Sequence, residues 1–556
     1  MTALIELEVD GNAVTARPGQ TIWEAAREAG IFIPSLCHDP RMKPVGACRL
    51  CAVDLGGRTL VASCARACEP GMKVQTASPL VEKQRRTLLK LLLAEHPAPC
   101  AKQATTGDCE LEALALRYGV LSESPTSFPG RRQPRDESSH VILVDHQACI
   151  LCDRCIRACN DLQSNEVITR TGKGHEARIA FDLDMPMGSS SCVSCGECAA
   201  ACPTGALTHR PLSTALKPRT QLRPVDSICP YCGVGCAVKY WVDPTTNRIA
   251  LVEGRSDGHN QARLCVKGRY GFDYASHPQR LSVPLIRRPE FYPKGPLSSD
   301  VQGKGQPDRS RRPGGVVDYR EVMPAFREAT WDEALDLLAT RLLAIKTQHG
   351  PQALAGFGSA KCSNEEAYLF QKLVRAVFGT NNIDHCTRLC HASSVAALME
   401  TLGSGAVTNP FHDIKQADVA LLIGTNTTAN HPVAATFFKE AAKQGTRLIV
   451  IDPRRPDMAR HAWRHVRQRP GTDVALLDGM IHVIIAEKLF DPTFVQERTK
   501  GFEALAAATA AWTPEVAAQI CGVPADEIRL IARTYAGAGT AMIFWGMGIS
   551  QHTHGT

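Results

Sequence analysis

The sequence predicts a multidomain chain, α+β in its front half and α/β behind it, on three observations. At 556 residues it is too long for a single hydrophobic core. Nineteen of its 23 cysteines fall between Cys37 and Cys265, a density that asks for disulfides or for metal ligation. After Trp331 the cysteines thin out, and helix and strand patterns alternate. The composition is that of a globular protein, 44% hydrophobic and 21% charged. The net charge of +7 is a weak excess with no basic stripe and interleaved aromatics, which argues against nucleic-acid binding.

The elements follow in order. Alternation predicts a strand over Leu4–Val9, a turn at Asp10-Gly11 and a return strand near Ala13–Ala16. Thr21 and Glu24 form the signature of a capping box, and Gly30 stands where a helix should stop. A basic amphipathic helix over Leu80–Leu93 leads to His96 and Cys100. Leu121–Ser139 and Pro293–Gly315 read as linkers, rich in Pro with Ser, Arg or Gly. In the last part the patterns predict helices Asp332–Lys346, Asn364–Phe378 and Ala434–Gln444, with strands Val419–Ile423 and Arg447–Ile451. Such a layered α/β unit binds ligands at the C-terminal ends of its strands. The N-terminus shows no basic n-region, apolar h-region or twin arginine, and no apolar run reaches membrane-span length. The expectation is a cytoplasmic chain with reduced thiols.

The cysteines then sort into sets. Cys149, Cys152, Cys155 and Cys159 read C-x2-C-x2-C-x3-C, and Cys192, Cys195, Cys198 and Cys202 repeat the spacing, with Pro203 after the last. In this pattern three thiolates wrap one cubane and the fourth ligates the other. Cys149, Cys152, Cys155 and Cys202 are therefore expected on one [4Fe–4S] cluster, and Cys192, Cys195, Cys198 and Cys159 on a second. Zinc ribbons are the rival, but zinc sites use two pairs rather than runs of four. Cys37, Cys48, Cys51 and Cys64 give one close pair and two distant thiols behind a β-grasp-like start, which suits a small cluster; Cys68 competes with Cys64 for the fourth place. Cys229, Cys232, Cys236 and Cys265 form C-x2-C-x3-C-x28-C, with glycines that allow the tight turns of a cubane loop.

These motifs carry resemblances. The Cys37–Cys64 set resembles the N-terminal [2Fe–2S] domain of the large iron–sulfur subunit of respiratory complex I. His96, Cys100 and Cys109 resemble that family's H-x3-C-x2-C-x5-C cluster motif, except that Gln103 stands for the middle cysteine. That cluster is then either absent or completed by another residue such as Cys68. The Cys229–Cys265 set resembles the [4Fe–4S] domain of molybdopterin oxidoreductases of the dimethyl sulfoxide reductase superfamily, in which a lysine like Lys267 lies between cluster and pterin. From Ala329 onward the chain resembles the molybdenum domain of formate dehydrogenases. There a cysteine or selenocysteine binds molybdenum and histidine follows, as Cys390-His391 does here; Cys386, beside His385, is the rival.

Taken whole, the chain resembles the α subunits of cytoplasmic, NAD-dependent, molybdenum formate dehydrogenases. The resemblance implies a [2Fe–2S] domain over 1–79, a His–Cys segment over 80–120 and a two-cluster ferredoxin domain over 140–210. A [4Fe–4S] domain over 222–278 and a molybdopterin domain over 279–556 complete the chain. It implies molybdenum bis(molybdopterin guanine dinucleotide), one [2Fe–2S] and at least three [4Fe–4S] clusters. It implies formate as substrate, with Cys390, His391 and Lys267 in the reaction, and flavin- and NAD-binding partner subunits, since no NAD fingerprint occurs in this chain. Gly424, Asn426, Asp452, Arg454, Asp473, Gly546 and Gln551 match family loops around the pterin. The sequence stops at Thr556 within a loop, short of the arginine and cap of these enzymes, so a fragment is one reading. A nitrate-reductase-like enzyme and a non-catalytic electron-transfer subunit are the alternatives.

Overall fold

A computed structural model describes residues 4–121, 134–211, 215–291 and 322–556. It divides into two compact units, one formed by 1–273 with 398–556, the other by 274–397.

The larger unit begins with the hairpin Ile5–Val9 and Asn12–Ala16, joined by Lys73–Val74 running parallel to the first strand. Alternate residues Leu7, Val9, Val14 and Ala16 are buried, as the period of a half-buried strand requires. The helix Ile22–Glu28 covers them, and both hydrogen bonds of the expected Thr21–Glu24 capping box are formed. The helix stops at Ala29, and Gly30 follows at φ +77°.

The helix Pro79–Leu93 buries Val81, Arg85, Leu89 and Leu93, one stripe at helical spacing. Its core continues through Cys100 and Cys109 into the two-cluster region. That region is a pseudo-repeat: Ile142–Val144 pairs with Leu207–His209, and Ile168–Thr171 with Arg178–Phe181. Equivalent loop positions Leu151 and Ser194, and again Asp153 and Gly196, all have φ between +53° and +71°. Alternation of this kind turns successive N–H groups toward one point, which suits an anionic cluster.

Three antiparallel strands, Arg223–Ile228, Ala237–Asp243 and Arg248–Gly254, carry the Cys229–Cys236 loop at one corner. Their core is shared with the last part of the chain, where a parallel sheet has the order Arg464–Val466, Arg447–Ile451, Val419–Ile423, Ala541–Trp545. Helices Pro432–Gln444 on one face and Asp473–Ala486 with Ala525–Ala536 on the other bury both sides, so Val419–Ile423 is buried at every residue.

In the smaller unit Gly356–Gly358 pairs in parallel with Ile383–His385, and Leu285–Arg287 pairs antiparallel with Phe326–Glu328. Its helices are Trp331–His349, Asn364–Lys372 and the start of Thr387–Leu402. The helix expected over Asn364–Phe378 is α only to Lys372, and Leu373–Phe378 opens into a π turn ended by Gly379 at φ +77°. Of the expected linkers, Pro293–Gly315 and residues 122–133 lie outside the described residues. Residues 134–139 are not a plain linker: Asp136 bridges to Val144 and accepts the Met187 N–H at 2.7 Å.

Candidate metal centres and active site

Four groups of sulfurs converge. Cys51 and Cys64 Sγ stand 3.3 Å apart, and the Cys48 N–H points at Cys37 Sγ at 3.4 Å. The proton shared within each pair pulls Cys48 down to about 5 and Cys51 to about 7, while Cys37 and Cys64 are pushed up. Two pairs of this kind are the arrangement two irons require, two thiolates each. Cys68 is buried in the same core as Cys51 and Cys64, and burial, then the Glu24 charge, raises it.

In the two-cluster region the sulfurs cross over between the runs. Cys155 is raised first by burial, then by Cys152, Cys149 and Cys202. Cys198 is raised by burial, then by Cys195, Cys192 and Cys159. Burial likewise pushes Cys195 up to about 12. A cavity bordered by Ile150, Ile179 and Leu207 is lined by Cys149, Cys152, Cys155 and Cys202. Thiols this buried stay protonated unless a metal offsets the lost hydration, so the donor set fits iron. At the corner of the three-stranded antiparallel sheet, burial raises Cys236, and Cys229, Cys232 and Cys265 add to it. Cys265 caps the helix Val266–Tyr270, on which Lys267 is exposed.

Charged side chains fasten these centres together. Arg157, between Cys155 and Cys159 in sequence, donates to the Cys37 carbonyl and to Lys43 O at 2.7 Å. Glu197, between Cys195 and Cys198, accepts from Arg41 of the N-terminal domain at 2.7 Å and from Arg269 at 2.7 Å. Arg269 also donates to Cys195 O at 2.8 Å. The side chains of Glu197 and Arg269 are each 1% exposed. Lys439 of the α/β part donates to Asn165 Oδ1 at 2.8 Å and Gln163 O at 3.2 Å, beyond Cys159.

In the smaller unit Cys386 and Cys390 are one helical turn apart, and Cys390 N–H donates to Cys386 O at 3.1 Å. Cys386 is exposed and accepts the Ala360 N–H at 3.2 Å; Cys390 is half-buried and His391 exposed.

Residues 280–556 match the molybdopterin oxidoreductase family and 222–277 its Fe4S4 domain; 2–79 match a 2Fe-2S cluster-binding domain and 148–206 a 4Fe-4S dicluster domain. The chain carries the domains of a molybdopterin oxidoreductase. It is 30% identical to "Probable oxidoreductase YjgC" of Bacillus subtilis, over 99% of this chain and 56% of that protein. The same figures hold for "Putative formate dehydrogenase SAUSA300_2258" of Staphylococcus aureus. The chain thus spans 56% of the length of these relatives. A solved NAD+-reducing [NiFe]-hydrogenase is 35% identical over 37% of this chain and 88% of its own, with a TM-score of 0.34.

Within the molybdopterin oxidoreductase domain, the loops singled out for the pterin gather at the C-terminal ends of the parallel strands. Gly424 follows one strand and Gly546 its neighbour, and Gly548 N–H donates to Gly424 O at 3.0 Å. A Cβ on Gly424 would stand 2.7 Å from the Gly548 carbonyl carbon, so these loops meet backbone to backbone. Asn426 Oδ1 accepts from Thr428 at 3.0 Å. Asp452 is buried and accepts the Arg454 N–H at 2.8 Å. Asp473 opens the helix Asp473–Ala486 and faces His552 at 3.9 Å, which brings the Gln551 turn to the same end.

Sequence reasoning missed two groups. The Arg41–Glu197–Arg269 network joins residues far apart in the chain, and its trace in the sequence was a charged residue inside, or just after, a cysteine motif. The second is Glu112, which joins His96, Cys100 and Cys109: the four ligand atoms lie within 4.8 Å of one another, all from buried residues. Glu112 accepts the Cys100 N–H at 2.9 Å and stands 3.4 Å from His96 Nε2. A carboxylate between the buried Leu111 and Leu114 was the signal available.

Proposed function

We propose that this chain oxidises formate to carbon dioxide at a molybdenum bis(molybdopterin guanine dinucleotide) centre ligated by Cys390, in the cytoplasm. Its iron–sulfur clusters deliver the electrons to a flavin- and NAD-binding partner subunit. The observation that carries the reading is the Cys390-His391 pair at the start of the helix Thr387–Leu402, in a chain whose relatives include proteins named as formate dehydrogenases. A thiolate is a suitable ligand for a soft metal held by dithiolene sulfurs. The bound metal and pterin supply the two-electron redox chemistry. The chain's own residues do the rest. His391 takes or relays the proton released as formate becomes carbon dioxide, a role an imidazole fills near neutral pH. The loops at Gly424, Asp452 and Gly546 hold the pterin nucleotide, with backbone N–H groups for phosphate and carboxylate for ribose or guanine. Lys267, two residues after Cys265, would lie between the Cys229–Cys265 cluster and the pterin. Cys37, Cys48, Cys51 and Cys64 hold the [2Fe–2S] cluster, and the two crossed sets hold paired cubanes, with Arg157 fastening the first to the second.

The test is a purified complex assayed by formate-dependent and nitrate-dependent dye chemistry, with molybdenum measured in the same sample. Formate turnover with molybdenum present supports the reading. Nitrate turnover alone identifies a nitrate-reductase-like enzyme, and iron without molybdenum identifies an electron-transfer subunit.

A further inference from the structure

The resemblance of His96, Cys100 and Cys109 to a cubane motif does not survive their geometry. A cubane places four irons between its ligands and holds them on the order of 6 Å apart. Here His96, Cys100, Cys109 and Glu112 present four ligand atoms within 4.8 Å of one another. Among the described residues this is the group of three or more such side chains placed to hold a single metal ion. A single tetrahedral ion with metal–sulfur distances of about 2.3 Å needs its ligands about 3.8 Å apart. Cys109 Sγ to His96 Nε2 is 3.9 Å and His96 Nε2 to Glu112 Oε1 is 3.4 Å, close to that edge.

Three further features agree. Gln103, where the motif wants a cysteine, spends its side-chain oxygen on the Cys109 N–H at 3.2 Å. Glu112 is 6% exposed, and among the described residues its ion-pair partner is His96 alone. Burial pushes the Glu112 carboxyl up, and a bound cation would offset the cost of its charge. Finally, Gly205 packs closely against Cys100: a Cβ there would lie 2.9 Å from Cys100 Sγ.

We infer that His96 Nε2, Cys100 Sγ, Cys109 Sγ and a Glu112 carboxylate oxygen bind one zinc ion, and that no iron–sulfur cluster forms there. Two thiolates, one imidazole and one carboxylate make a closed four-ligand set of the structural zinc type. Zinc carries no electrons, so the route from the paired cubanes to the [2Fe–2S] domain bypasses this segment. The direct contacts of Arg154 to Leu36 O at 3.5 Å and of Arg157 to the Cys37 carbonyl mark that route. The inference does not depend on formate being the substrate.

The experiment is elemental analysis and zinc K-edge X-ray absorption on the full chain purified with its native clusters. The expected result is one zinc per chain, with two sulfurs near 2.3 Å and two nitrogen or oxygen neighbours near 2.0–2.1 Å. The Glu112→Gln protein should lose most of its zinc while the electron paramagnetic resonance of the other clusters is unchanged. Absence of zinc, a four-sulfur shell, or full zinc retention in Glu112→Gln overturns the inference. So does an additional [4Fe–4S] resonance that disappears in Cys100→Ser.

Discussion

Replacing Glu197 by glutamine keeps the shape of the side chain and removes its charge from between two arginines. Arg41 loses one of two carboxylate partners and keeps Asp39, at 2.9 Å. Arg269 loses its carboxylate partner at 1% exposure; among the described residues it also has the Cys195 carbonyl, at 2.8 Å. Stranding one member of a buried pair costs about 3–5 kcal/mol. Glutamine still accepts one hydrogen bond, so the lower end, about 3 kcal/mol, is expected. At about 2.1 cal/mol/K per residue, a unit of this size moves by about 1 °C per kcal/mol, which gives a loss of about 3 °C. The assay is thermal bleaching of the cluster absorbance, read beside near-ultraviolet circular dichroism. Glu515→Gln, which breaks an exposed pair with Arg529, is the control and should leave the melt unchanged. The double variant Glu197→Leu with Arg269→Met removes both charges and should recover part of the loss. A Glu197→Gln melt within about 1 °C of the parent would refute the reasoning, because the network would then be no clamp between cluster domains.

Other outcomes follow from the same geometry. Gly196→Ala places a Cβ 2.3 Å from Tyr270 Oη and 2.4 Å from Arg269 Cδ at a φ of +71°, so a loss of about 1–3 kcal/mol is expected in denaturant titration. Half-buried His209, hydrogen-bonded to Tyr270 at 2.8 Å, has its pKa pushed well below the usual 6.5 by burial and then by Arg269, Lys102 and Arg219. Its unfolded form takes a proton that the folded form refuses. Stability from this group is therefore full above about pH 6.5 and falls by up to about 1.4 kcal/mol per pH unit below it. Unfolding midpoints at pH 7.5 and 5.5 should differ less in His209→Gln than in the parent. Lys267→Met should slow cluster reduction by substrate about tenfold or more, with iron content unchanged, as read by stopped-flow absorbance.

Much of the cysteine arrangement was legible because cysteine spacing is a local signal. Runs of cysteines two residues apart fold into loops whose backbone repeats at Asp153 and Gly196, and the structure brings their sulfurs together in the crossed sets the spacing implies. The capping box at Thr21 and the buried strand Val419–Ile423 were legible for the same reason, as patterns within one element. The contacts that join elements were not. Glu197 meets Arg41 across 156 positions and Arg269 across 72, and no period in the sequence encodes such a pairing. Glu112 was passed over because its motif is defined by the residues before it, and its role appears only when the helix Glu110–Arg117 turns it toward Cys100. The π turn at Leu373–Phe378 was hidden because its side chains continue the same helical pattern.

If the proposed reaction centre is at Cys390, the cysteine-held clusters must draw their electrons from it. The most direct test mixes formate with the oxidised, molybdenum-loaded complex and freezes it within one turnover. Electron paramagnetic resonance should show reduced iron–sulfur clusters in the parent and in Cys386→Ala, and none in Cys390→Ala. Clusters that reduce equally well in Cys390→Ala would contradict the account.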